Sequence, residues 1–149
     1  MSGSVRNLLA VVAGILVGMG VNMGLITIGP SVIAPPPGVD LTTPEGLAAG
    51  IHLFEPRHFA MPFLAHALGT YVGALAAWLV AASHKDTLAW VIGFVFLGAG
   101  FAVCVMIPAP TWFMAADLLL AYLPMAWLAI LVGRRIAPGY RSRPASAGR

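Results

Sequence analysis

The sequence predicts an all-α membrane protein: a bundle of four transmembrane helices with a short amphipathic helix in its first periplasmic loop. Three observations predict it. Of the 149 residues 60% are hydrophobic and only 9% charged, where a soluble domain carries about 25% charged residues. Mean hydropathy is +0.92. Four apolar runs, at about 8–29, 59–82, 88–107 and 112–132, each approach the ~20 residues needed to cross a bilayer. Together they take more than half the chain, which leaves no room for a soluble catalytic domain.

The first run, preceded only by Arg6, is longer than the roughly 7–15 apolar residues of a cleaved signal peptide, so it reads as a retained anchor. Gly14, Gly18 and Asn22 recur at helical spacing along it. The second run carries His66, Gly69, Thr70 and Gly73 on one face. Small faces let helix backbones approach closely, so the first two spans are expected to pack through these stripes. The Gly14/Gly18 and Gly69/Gly73 faces are equally candidate surfaces for a homo-oligomer.

The connection at 30–58 is too long for a turn. Pro35, Pro36 and Pro37 favour extended chain. Thr43-Pro44-Glu45 then reads as a helix start, with Thr43 as N-cap and Pro44 at the first position. Leu47, Ile51 and Phe54 give that helix an apolar stripe, so it is expected to lie over the bundle as a lid. Residues 83–87 form a tight turn between the second and third spans. Pro108 and Pro110 punctuate the last connection. Pro124 falls inside the fourth run and predicts a kink there. The tail at 138–149 is basic and polar, and is expected to be disordered.

Arg6, Lys85, Arg134, Arg135, Arg141, Arg143 and Arg149 fall on one side of this topology, with Arg57 on the other. Positive-inside bias therefore puts both termini in the cytoplasm of an inner-membrane protein. The basic tail reads as topology and contact with anionic lipid. Without aromatic interleaving or a folded basic face, it does not read as a nucleic-acid site. The expected partners are the bilayer and, alternatively, another membrane protein.

Asn22, His66 and Asp117 each lie about seven residues inside separate runs, roughly 8–11 Å below the periplasmic boundary at 1.5 Å per residue. An ionisable group in hydrocarbon is costly, so it pairs or lines a wet cavity. Asp117 has no cation in the core of any span, and a hydrogen bond to His66 is one way to satisfy it. Glu55, Arg57 and His58 are expected at the rim, with Thr70 on the His66 face. Such a site is expected to be a lidded polar cavity that faces the periplasm and binds or helps to move a small polar ligand, a proton or a cation. Three readings stand beside it: a polar staple that only fixes the bundle's register, an accessory or assembly subunit, and an enzyme acting on a lipid or quinone. No catalytic residue stands out, and no cofactor is expected.

Metal binding by His58, His66 and Asp117 is weakly suggested. However, eight residues separate the two histidines, about 12 Å along a straight helix, too far to share one zinc. The one cysteine, Cys104, reads as a small buried apolar residue. Tyr71, Tyr122, Trp78, Trp90 and Trp127 read as lipid-facing or interfacial aromatics. The scattered methionines read as adaptable packing.

The segments Pro35–Asp40, His52–Phe59, Phe63–Thr70 and Asp117–Trp127 resemble those of a family of small four-span bacterial inner-membrane proteins. The likeness spans most of residues 20 to 128. It implies the fold and the location, and it assigns no activity and no site residue.

Overall fold

The structure is a computed structural model that describes residues 2–137. The basic tail expected from residue 138 onward lies outside the described residues. Six α-helices run α1 Gly3–Val32, α2 Pro44–Gly50, α3 Ala60–Val80, α4 Lys85–Met106, α5 Thr111–Leu120 and α6 Leu123–Ile136. Short 3-10 turns at Ile51–Leu53 and Pro56–Phe59 complete the order. Four stretches are long and apolar enough to cross a membrane: α1, Pro56–Val80, α4 and Thr111–Ile136. Their outward faces carry large apolar side chains such as Leu8, Leu16, Phe94, Phe101 and Leu119. A surface of this kind is stable against lipid and not against water, and this is a multi-pass integral membrane protein.

Between helices in lipid there is little hydrophobic drive, so packing depends on how closely backbones approach. α1 meets α3 through the two glycine stripes, as their spacing predicts. A Cβ added at Gly18 would stand 2.7 Å from the Gly69 carbonyl oxygen, and one at Gly14 2.7 Å from that of Gly73. The two stripes thus face each other within the chain. Elsewhere the interior is built on alanines around Trp78, Ile92 and Tyr122. Gly133 lets α6 approach the Trp78 ring and Gly93 lets α4 approach Ala126.

The fourth span is broken rather than kinked. Its first half ends when Ala121 N–H bonds the Asp117 carbonyl at 2.9 Å, and the second half restarts with Tyr122 as N-cap and Pro124 in the first turn. Proline lacks the N–H that would continue the helix and clashes with the carbonyl four residues back. The chain therefore turns at Ala121–Tyr122, where only bends separate the two helices.

The lid is present, but its regular helix is shorter than the sequence stripe suggests. Thr43 caps α2 through a 3.0 Å bond from Gly46 N–H, as Thr-Pro-Glu predicts. After Gly50 the chain tightens into the 3-10 turn at Ile51–Leu53. Glycine is a poor helix former, and here it is crowded: a Cβ at Gly50 would meet the Val39 side chain. Leu47, Ile51 and Phe54 nevertheless pack down with Phe59 and Phe113 and roof one end of the bundle.

Candidate functional site

Asp117 sits in the last turn of α5 and is only 2% exposed. His66, two turns into α3, brings Nδ1 to 2.9 Å from both of its carboxylate oxygens. The two residues are 51 apart in sequence, and the expected meeting of acid and imidazole is what the helices produce. With Asp117 as a carboxylate, which only accepts, Nδ1 of His66 carries the proton of this bond. Tyr122 donates its hydroxyl to Asp117 Oδ2 at 2.8 Å, and its ring stacks on His66 with centroids 5.9 Å apart.

Tyr122 is a correction to the sequence reading, which placed it among the lipid-facing aromatics. It is 1% exposed. Five residues from Asp117, it would point about 140° away on an unbroken helix, given 3.6 residues per turn. The break before Pro124 brings it back. Gly100 of α4 makes room for the phenol, because any Cβ there would collide with the Tyr122 hydroxyl. Trp78 is a second correction: it is fully buried and donates Nε1–H to Asp86 Oδ1 at 2.8 Å.

The pair borders a cavity of about 680 Å³ under the roof. Ile26 and Gly29 of α1, Val103 of α4, and Ile33 and Ile107 just past the ends of those helices make its walls mainly apolar. Asn22, His66, Cys104 and Asp117 place polar atoms along them. Among the described residues no side-chain nitrogen or oxygen is both buried and without a partner. His66 Nε2, which has no hydrogen-bond partner among the described residues, is therefore accessible, and His66 lines this cavity. The same reasoning applies to the Asn22 amide, whose Cβ packs beside Gly69. Asn22 thus shares the cavity with the pair without bonding to it. Cys104 stands half-buried on the wall rather than in the core.

The remaining candidates have other work. Thr70 is fully buried and spends its hydroxyl on the His66 carbonyl at 2.8 Å, bracing α3 from within. His58 reaches the cavity edge with both nitrogens committed. Its Nδ1 accepts from Glu55 N–H at 2.9 Å, so Nε2–H donates to the Ala34 carbonyl at 3.1 Å. It ties the chain leaving α1 to the start of α3. Glu55 and Arg57 pair with each other at 3.0 Å, with side chains 63% and 67% exposed, and neither lines the cavity. Among the described residues no three His, Cys, Asp or Glu side chains stand together as a metal site.

The opposite end of the bundle holds a second polar cluster. Asn7 Oδ1 accepts from the Ala82 and Ser83 amides at 2.9 and 3.2 Å, and its Nδ2 donates to Ser83 Oγ. Arg6 Nε donates to the Val80 carbonyl at 2.7 Å, and Lys85 Nζ to that of Trp78 at 2.9 Å. Asp86 pairs with Arg134. These groups close the ends of α1, α3, α4 and α6 against one another.

Comparisons with known proteins returned no match: no protein-family model, no curated protein and no solved structure aligns with the chain. The four-span membrane architecture and its cavity rest on this chain's own residues.

Proposed function

We propose that this multi-pass protein is a small-molecule binding protein of a bacterial inner membrane, and that a hydrogen-bonding ligand docks on Nε2 of His66. The observation that carries the reading is the Tyr122–Asp117–His66 chain, whose one uncommitted ring nitrogen opens to a cavity of about 680 Å³. A polar staple accounts for the bonds to Asp117. It gives no reason for Nε2 and the Asn22 amide to face space when both lie in hydrocarbon-spanning segments, where uncommitted polar groups are costly.

Asp117 holds the imidazole in one tautomer and one orientation, as a carboxylate commonly does for a working histidine. With its proton on Nδ1, His66 presents the lone pair of Nε2 to a ligand O–H. Arg6, Lys85 and Arg134 gather at the end opposite the cavity. That supports a cytoplasmic basic end and a cavity near the periplasmic face.

The test uses phenol as a bare O–H head. In protein carrying 15N-histidine, phenol is expected to shift the Nε2 resonance of His66 saturably and to leave His84 unmoved. A His66 resonance indifferent to phenol sinks the proposal.

A further inference from the structure

The cavity begins where two helices stop touching. Cβ atoms added at Gly14 and Gly18 of α1 would meet Ile92 and Phe96 of α4 at 3.0 and 2.7 Å. About two turns further on, Ile26 on α1 and Val103 on α4 line the cavity instead. The neighbouring seams stay shut: Met61 of α3 lies against Gly29 of α1, and the Phe59 and Phe113 rings meet at 4.7 Å between α3 and α5. Ile26 and Val103 border the cavity and are also 37% and 41% exposed. A slot between α1 and α4 with Ile26 and Val103 as its lips would open on the part of the protein that faces lipid.

We propose that the ligand is an uncharged amphiphile that enters sideways from the bilayer through this slot, seating an O–H head on His66 and leaving its apolar tail between α1 and α4. This rests on the binding reading above and narrows it. Three features argue for that chemistry. The walls are mainly apolar, and Thr27, Thr42 and His58 on them spend their side-chain donors within the chain, which leaves the pole at Asn22, His66, Cys104 and Asp117, a division an amphiphile matches. Among the described residues no lysine or arginine lines the cavity, so none of them neutralises a phosphate there. Asp117 is already taken up by His66 and Tyr122, so a charged head would bring its charge uncompensated into low dielectric.

The experiment compares dodecanol, phenol and dodecyl phosphate on the full chain in a sterol-based detergent. Adducts are counted by native mass spectrometry, and the His66 15N resonance is followed. One dodecanol is expected to bind per protein, at least tenfold tighter than phenol and at least tenfold tighter than dodecyl phosphate. Ile26→Trp with Val103→Trp plugs the slot. It is expected to weaken dodecanol at least tenfold, with a cooperative thermal unfolding transition like that of the wild type showing that the variant is folded. Ile26→Ala with Val103→Ala widens the slot and is expected to speed dodecanol binding severalfold.

Dodecanol binding unchanged by both pairs overturns the route. Dodecyl phosphate binding as tightly as dodecanol overturns the uncharged head. Phenol bound with no gain from a tail overturns this inference and leaves the binding site standing. If neither phenol nor dodecanol binds, both readings fall.

Discussion

The two ends of the bundle treat polar side chains in opposite ways. At the basic end Arg6, Asn7, Trp78, Lys85 and Asp86 all bond to neighbouring helix ends or to one another. At the loop end the buried pair is just as well bonded on one side, yet His66 and Asn22 keep atoms turned toward open space. The cause is residue size along one seam. Gly14 and Gly18 hold α1 against α3 and α4, whereas Asn22 and Ile26 mark where α1 and α4 stand apart. Rigidity and access are divided along a single pair of helices.

The sharpest way to break this division is to damage the basic end and look for an effect at the other. Asp86→Ala removes the acceptor for Trp78 Nε1–H and the partner of Arg134. Losing an acceptor from a buried donor costs about 1–3 kcal/mol, and the Asp86 side chain is partly open to solvent. A loss of about 2 kcal/mol is expected in denaturant unfolding from mixed micelles, with phenol binding at His66 unchanged. Binding that weakened in parallel would show that the two ends are one cooperative unit.

A smaller effect on stability and a larger one on chemistry are expected from Asp117→Asn. The amide oxygen still accepts from Tyr122, but the amide NH₂ now faces Nδ1 of His66, and two donors cannot share that bond. His66 is expected to move its proton to Nε2, which converts the cavity-facing atom from acceptor to donor. The stability cost is about 1 kcal/mol, because both bonds are remade. The tautomer exchange is directly visible in the imidazole 15N shifts, and phenol affinity is expected to fall about tenfold. An unchanged tautomer would mean that Asp117 does not set the ring's proton.

How much of this was legible beforehand follows the same contrast. The glycine stripes and the membrane depth of His66 and Asp117 are counts along single helices, and periodicity carries them. The α1–α3 seam and the acid–imidazole meeting could therefore be anticipated. Tyr122 could not, since residues five apart lie on different sides of an intact helix; only the two-residue break before Pro124 realigns it. Trp78 was misread because a tryptophan near a helix end looks interfacial until Asp86 supplies its acceptor. A polar cavity was expected, but its mainly apolar walls between α1 and α4 were not legible, being a property of how far two helices diverge rather than of either sequence face. His58 looked like a rim ligand, and its role in tying the loop at Ala34 to the start of α3 depends on a contact 24 residues away.

The smallest expected effect sharpens the contrast within the loop end itself, at the edge of the roof. Asp40 accepts from the Thr42 amide and hydroxyl at 2.8 and 2.6 Å, and from the Thr43 hydroxyl at 3.2 Å. Thr43 in turn caps α2. Hydrogen bonds from the Thr42 side chain and backbone hold the Asp40 carboxyl below the usual carboxylate range. A depressed folded value means that its contribution is present above the unfolded carboxylate range, about pH 3.9, and is lost as pH falls through the folded value. Exchange of the Gly46 amide, corrected for its intrinsic rate, is therefore expected to accelerate on acidification below about pH 4. Amides tied to Asn7 at the opposite end should keep their protection over that interval, because no carboxylate holds them. In Asp40→Asn the Gly46 response should become flat. If wild-type Gly46 is already flat, the threonine cap stands without Asp40, and the roof is held by Leu47, Ile51 and Phe54 alone.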